Sequence, residues 1–455
     1  MPYRSSQRRI SMLLAGDVML SRRLSPFVEP EYLDLVQLVR GADVAFANLE
    51  TVVREAHEGH PNFTVGTPMS TEPQLLDELK WMGFDIVSVA NNHATDYSVG
   101  GVQAMLTHLR HAELPAAGAG MNLAQARMPA YVDTPAGRVG LVAATSFFRP
   151  WNAAADQRPD ALGRPGVNPL GFRTRYGVDS AAFGELKRIS DRLGLTQERA
   201  RHRRQFFSAS ELPPERDDSL DLFGAHFARQ ADFSVSTQVS ARDRDANLQW
   251  IREARRQCDW LIFSFHCHEF GNSRRWDAQS DTELDEPAEF AVEFAHAAID
   301  AGADVVAGHG PHVTLGVELY RGRPIFYSLG NFIFQNDTVG NFPAGAYERF
   351  GLGHGATPAD FLDARTDKDT RGFPAEAAFW ESFAAELQFD DGRLSALRLH
   401  PLDLGHGASR AERGRPMLAR GDKARHILER LSNFSRRFGT ETSIEGETLL
   451  LRLPR

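Results

Sequence analysis

Along the first third of the chain, short apolar runs alternate with stretches whose apolar residues recur every three or four positions. Residues 9–15 (RISMLLA) read as a buried strand, 32–40 as a helix and 43–47 (DVAFA) as a second strand. The stretch 73–82 (PQLLDELKWM) predicts a helix with Pro73 at its start, where the missing N–H costs nothing. Residues 85–90 (DIVSVA) predict a third strand, a helix follows near 99–111, and 138–144 (RVGLVAA) predict another strand. Such alternation predicts α/β layers with largely parallel strands.

Residues 150–245 break this rhythm with NPLGFRTRYG, ERARHRRQ and several charged runs. They read as a helical and loop-like insertion, long enough to be functional or mobile. The alternation then resumes, with helices at 248–256 and 288–301 and strands at 260–265, 304–307, 316–320 and 324–328. The last two strands are joined by Arg321-Gly322-Arg323, a hairpin turn. Beyond a glycine- and aromatic-rich stretch at 337–375, residues 383–389 and 394–399 predict an antiparallel pair around Asp390-Asp391-Gly392. Residues 421–438 predict an amphipathic helix with Ile427, Leu428, Leu431 and Phe434 inward, and 448–453 a closing strand. The expected organisation is one domain over 1–455, with 150–245 inserted in it. Residues 376–455 form a small C-terminal β-plus-helix extension packed on the core.

Composition acts mainly by exclusion. The chain is 42% hydrophobic and 24% charged, a globular balance, and its net charge of -9 argues against a nucleic-acid-binding surface. Two cysteines, Cys258 and Cys267, in 455 residues do not make a disulfide scaffold. The apolar run at 10–16 is broken by Asp17, too early for a signal peptide or anchor. No other stretch approaches the roughly 18 apolar residues that a spanning helix needs. A cytoplasmic protein without a membrane segment is expected, its oligomeric state left open.

What changes the picture is where the polar residues fall. Strand after predicted strand ends in metal-capable side chains: Asp17, then Asn48 and Glu50, then Asn91-Asn92-His93 with Asp96 close behind. Later ends carry His266 with His268 and Glu269, then His309 and His312, then Asn331. Taken singly, Asp17 reads as a helix N-cap, Asn91-Asn92 as turn residues, and His309 and His312 as caps around Gly-Pro. Glu50 resists that treatment, because a carboxylate at the end of an apolar strand needs a partner. In open α/β sheets the C-terminal strand ends define the ligand crevice, so their convergence favours a metal site. Mixed carboxylate, imidazole and amide donors suit zinc, manganese or iron, one ion or two, better than magnesium or calcium.

At these same residues the sequence resembles the CapA family of poly-gamma-glutamate capsule biosynthesis proteins. The matching stretches are AGDVML (15–20), ANLETVV (47–53), VANNHATDYSVGG (89–101), GAGMNLAQARMP (118–129), FSFHCHE (263–269), AGADVVAGHGPH (301–312) and PIFYSLGNFIF (324–334). The family is similar to the calcineurin-like metallophosphoesterases, which implies a four-layer α/β/β/α sandwich with a two-metal centre. Carried over, the resemblance makes Asp17, Glu50, Asn92, His266, His309 and His312 metal ligands. His93 becomes the histidine that stabilises a transition state or protonates a leaving group. Asn92 and Asp96 are expected to orient His93, and His268, Glu269, Asn48 and Asn331 to ligate or support. Met19 stands where the superfamily has a histidine, Gly310 where the closing motif has its middle histidine, and the 266–269 stretch is one residue short.

The expected activity is a metal-dependent hydrolase acting on a phosphoester or a glutamate-type amide or isopeptide bond. Its substrate would be a small anionic or glutamyl compound, bound by Arg22, Arg23 and Arg164. The competing expectation is a non-catalytic anion- or polymer-binding accessory protein of a ligase or transport system. No dinucleotide or P-loop motif points to a nucleotide-cofactor enzyme.

Overall fold

The computed structural model describes residues 9–63, 66–205, 216–271 and 280–453. Its first strand, Arg9–Met19, is buried almost throughout because helices cover one face of its sheet and a second sheet covers the other. Val44–Leu49 runs parallel to it on one side. On the other side two strands succeed each other: Glu381–Asp390 pairs antiparallel with residues 9–14, and Asn331–Phe334 pairs parallel with residues 17–19. The handover falls at Gly16, where a Cβ would lie 1.8 Å from the Gly330 carbonyl oxygen, so only glycine fits. The register shift there re-aims Asp17.

This strand centres a ten-stranded sheet. A six-stranded sheet faces it, with Gly137–Thr145, Trp260–His266, Val305–His309 and Arg323–Phe326 parallel in its interior. Alternate residues divide the core. Met12, Leu14 and Phe46 meet Leu141, Ile262 and Ala307 between the sheets. Leu13, Ala45 and Ala47 pack outward under Pro30–Arg40, Leu76–Met82 and Ser98–His111. Phe263 and Phe265 pack outward on the far side, under Ala241–Arg255 and Glu289–Ala301. The layers are therefore α/β/β/α, as the resemblance implies. The helix Gly421–Arg436 inserts Ile427, Leu428 and Leu431 into the middle layer.

Several elements differ from expectation. The inserted region is not only helix and loop: Phe172–Val178, Ser219–Leu222, Ala225–Arg229 and Ser234–Val239 form a four-stranded sheet, beside helices Ser180–Arg192 and Leu195–Gln205. Arg173 and Arg175 alternate outward with Phe172, Thr174 and Tyr176, a period of two masked by its charge. The Pro73 segment opens as a 3-10 turn, Pro73–Leu75, and becomes α-helical from Leu76. The helix expected from 248 starts at Ala241, where Ser240 Oγ accepts the Asp243 N–H as its cap. Tyr320 pairs with Arg323, so that hairpin turn has two residues, Arg321-Gly322, both at positive φ. Asn331 does not end a strand of the second sheet; it opens a strand of the first. The closing strand pairs with Thr442–Glu445, a polar strand not anticipated. Among the described residues no helix is long and apolar enough to cross a membrane.

Candidate metal centre

The C-terminal ends of the parallel strands from both sheets meet at one buried polar cluster. Asp17, His266 and His309 form one group in which the ligand atoms all lie within 4.8 Å of one another. Glu50, His268 and His312 form a second group by the same measure.

Neighbouring side chains aim each of these donors. Asn48 Nδ2 donates to Asp17 Oδ1 at 2.8 Å, and the Gly310 N–H donates to Oδ2 at 3.1 Å. Asn91 holds Asn48 in turn, donating to its carbonyl oxygen at 3.2 Å and to the Leu49 carbonyl at 2.9 Å. Ser264 Oγ lies 2.7 Å from His309 Nε2, which leaves Nδ1 facing Asp17 Oδ1 at 3.4 Å. His266 Nε2 sits 2.7 Å from Asn92 Oδ1 and 2.9 Å from His268 Nε2, while its Nδ1 is 2.9 Å from His309 Nδ1. His312 Nδ1 lies 3.0 Å from Asn331 Oδ1 and 3.4 Å from Asp17 Oδ2. His312 itself is at φ +63, a left-handed conformation uncommon outside glycine. Gly310, at φ +121, would place a Cβ 3.0 Å from the Cys267 backbone, so the turn that presents His309 and His312 excludes a side chain there.

The electrostatics of the cluster are those of a site built around positive charge. Glu50 is fully buried, and among the described residues no hydrogen-bond donor reaches either of its oxygens. Burial, then the neighbouring Asp17 carboxylate, push its pKa well above the usual range. Burial acts in the same sense on Asp17, but His312 and His309 outweigh it and hold that carboxyl low. Burial, and after it the crowding of other imidazoles, drives His266 well below its ordinary value and His268 down to about 3. His309 falls to about 4 through burial, against the pull of Asp17. Unprotonated rings with nitrogen atoms facing one another, beside an orphaned buried carboxylate, are the donor set a divalent cation requires. The residues fit a metal, and with two groups they fit two.

His93 stands at the edge of this cluster. Its Nδ1 lies 2.7 Å from Asp96 Oδ2, an oxygen that also accepts the Met69 N–H at 2.7 Å. Its Nε2 is 3.8 Å from Glu50 Oε1. Asp96 is thus the partner that orients His93, whereas the Asn92 side chain turns to His266 instead. Glu269 belongs to neither metal group; it accepts from Ser146 Oγ at 2.7 Å and from the Cys267 thiol at 3.2 Å. His93, His268 and His312 open onto a cavity of about 550 Å³.

The three arginines expected to bind substrate do not line this cavity among the described residues. Arg22 donates to the carbonyls of Ala411 and Arg413, Arg23 pairs with Glu78 at 3.0 Å, and Arg164 donates to the carbonyls of Ala153 and Pro150. Arg22 and Arg164 thus tie loop carbonyls, and Arg23 ties its loop to the helix Leu76–Met82. The arginines that do line it are Arg149 and Arg365. Ser264 was also missed, although it precedes His266 by two and so shares its face of the strand. Nothing local marks Arg365 or Phe373, which arrive from the 337–375 stretch.

Residues 11–336 match the model of the family described as bacterial capsule synthesis protein PGA_cap. A Sinorhizobium fredii protein, y4sH, is 34% identical over 97% of this chain and 93% of its own length. The PGA biosynthesis protein CapA of Bacillus subtilis is 23% identical, covering 72% of this chain and 63% of that protein. A probable polyglutamine synthesis accessory protein of Mycobacterium tuberculosis, Rv0574c, is 25% identical over 73% and 76%. The chain belongs to the capsule synthesis family, a metallophosphoesterase-like lineage.

Proposed function

We propose that this member of the capsule synthesis family is a metal-dependent hydrolase acting on a phosphoester or a glutamyl amide bond. The observation that carries the reading is Glu50: a fully buried carboxylate with no donor at either oxygen among the described residues, grouped with His268 and His312. Asp17, His266 and His309 would hold one cation, and Glu50, His268 and His312 a second, with Asn92 beside His266. Divalent cations at such a site lower the pKa of water and polarise the oxygen of the bond attacked. The chain's own contribution to proton transfer is His93. Asp96 accepts from Nδ1 and so fixes the proton there, leaving Nε2, on the Glu50 side, to take up a proton and pass it to the leaving group. Asp96 also stabilises the imidazolium while it lasts. Asn48, Asn331 and Ser264 keep the ligand side chains in their rotamers, and Glu269 supports the 266–269 turn through Ser146 and Cys267.

The test is elemental analysis of protein purified without chelator, followed by assays with para-nitrophenyl phosphate and gamma-glutamyl-para-nitroanilide. Bound zinc, manganese or iron and turnover of either probe are expected. Metal-free protein that retains full activity overturns the mechanism. Metal-loaded protein that binds oligoglutamate but cleaves neither probe is instead an accessory binder, as the name of the mycobacterial relative suggests.

A further inference from the structure

The walls of the cavity say what kind of molecule fits beside the metal groups. Two of the three histidines that face it, His268 and His312, each pack against a phenyl ring. Phe147 lies 4.5 Å from His268, centroid to centroid, and Phe373 lies 5.2 Å from His312, perpendicular to it. Phe373 is fixed from behind by Phe334 at 5.2 Å and Phe379 at 4.8 Å, so its position is a property of the packed core. Phe148, Phe172 and Phe270 continue the wall. An apolar surface therefore begins directly at the reacting centre.

Against this wall the described residues set two cationic side chains, Arg149 and Arg365. Arg365 stands on the helix Pro358–Thr366, and no carboxylate among the described residues forms an ion pair with it. Asp337, the acid whose charge acts on it, is bonded by Arg413 Nε at 2.7 Å. Arg365 and Phe373 also border an adjoining chamber of about 340 Å³. Arg365, which has no ion-paired carboxylate among the described residues, thus borders both chambers.

On the reading that the site is hydrolytic, we propose that its substrate is a small amphiphilic anion. An aromatic or branched apolar group lies beside the bond cleaved, between Phe147 and Phe373. A separate carboxylate or phosphate is bound by Arg365. A run of gamma-glutamyl polymer does not suit this cavity. Each repeat carries a carboxylate whose desolvation among phenyl rings two arginines cannot offset. A volume of about 550 Å³ matches one small molecule.

Phosphonates test this, because they stand in for a phosphoester and for the tetrahedral stage of amide hydrolysis alike. The metal-loaded full chain is titrated by calorimetry with ethylphosphonate, benzylphosphonate, 4-carboxybenzylphosphonate and tetra-gamma-glutamate. Benzylphosphonate should bind roughly 10–50-fold tighter than ethylphosphonate, from the apolar area it buries. The added carboxylate should gain about another 5–20-fold, as a charge-assisted contact does. Arg365→Gln should abolish that second gain and keep the first. Phe373→Ala and, because Phe373 is packed in the core, the half-exposed Phe147→Ala should each reduce the first gain. Equal affinity for the ethyl and benzyl compounds, no binding by any phosphonate, or tighter binding of tetra-gamma-glutamate overturns the proposal. These ratios are read without turnover, so a failure of hydrolysis breaks the earlier reading, while flat ratios with turnover intact break only this one.

Discussion

Around Arg413 the buried charges neutralise one another. Its guanidinium reaches Asp337 at 2.7 Å and Asp369 at 3.0 Å, and Arg410 bonds Asp369 at 2.7 Å and Asp363 at 2.8 Å. At the strand ends Asp17 and Glu50 are more deeply buried still, yet no arginine or lysine reaches either among the described residues. Their neighbours are amides and imidazoles, which hold a carboxylate without neutralising it. The fold plainly can supply an internal cation where charge serves packing. Where it withholds one and presents ring nitrogens instead, the arrangement fits a counter-charge from outside the chain.

The comparison breaks or sharpens most decisively at Glu50. Glu50→Ala should lose bound metal by elemental analysis and lower hydrolysis by roughly 10³-fold or more, the scale of catalysis a bound cation supplies. Its metal-free form should melt above metal-free wild type, because an unpaired buried carboxylate is gone. A lower melting temperature would mean that Glu50 is satisfied by the protein after all.

Next is His93→Ala, expected on the proposed mechanism to reduce kcat by about 10²–10⁴ with metal content intact, since there the ring moves a proton and holds no ion. Equal loss of metal in the two variants would make His93 a ligand.

The Arg413 cluster answers differently. Arg413→Ala leaves Asp337 buried without its partner and should cost about 3–5 kcal/mol in denaturant unfolding. Metal content should hold; its loss would show that the two clusters are one.

The smallest effect is on acid stability. Burial raises the Asp369 pKa, but Arg410 and Arg413 outweigh it and hold the carboxyl below its ordinary value. A depressed folded pKa contributes stability above the unfolded value, near 3.9, that is lost as pH falls through the folded one. The melting-temperature gap between wild type and Asp369→Asn should therefore be full above about pH 4 and shrink below it. A gap that widens in acid would contradict the pairing.

Much of the candidate centre was legible because its residues fall at strand ends, where hydrophobic periodicity stops and an acid, amide or histidine follows. Asp17, Glu50 and His309 stand out in that way. His268 was harder: the 266–269 stretch is one residue short of the family pattern, and only the folded turn shows its ring in the second group with Glu50 and His312. The three arginines illustrate the opposite error. Arg22 and Arg23 follow a site strand and Arg164 lies in the insertion, but proximity in sequence does not say whether a guanidinium faces the cleft or a neighbouring carbonyl.

The sequence by itself pointed to alternating α/β layers and to most of the candidate ligands. A period of two or of 3.6 decides which face of an element is buried, and a polar residue ending an apolar strand must be placed at the sheet's edge. Tertiary structure alone decided that Gly16 admits the Gly330 carbonyl and so brings a strand from residue 331 beside residue 17. It alone decided that Phe373 packs against His312 and that Arg365 lines the same cavity. Those contacts join residues far apart in the chain, and their geometry follows from how sheets and loops pack, which no local pattern encodes.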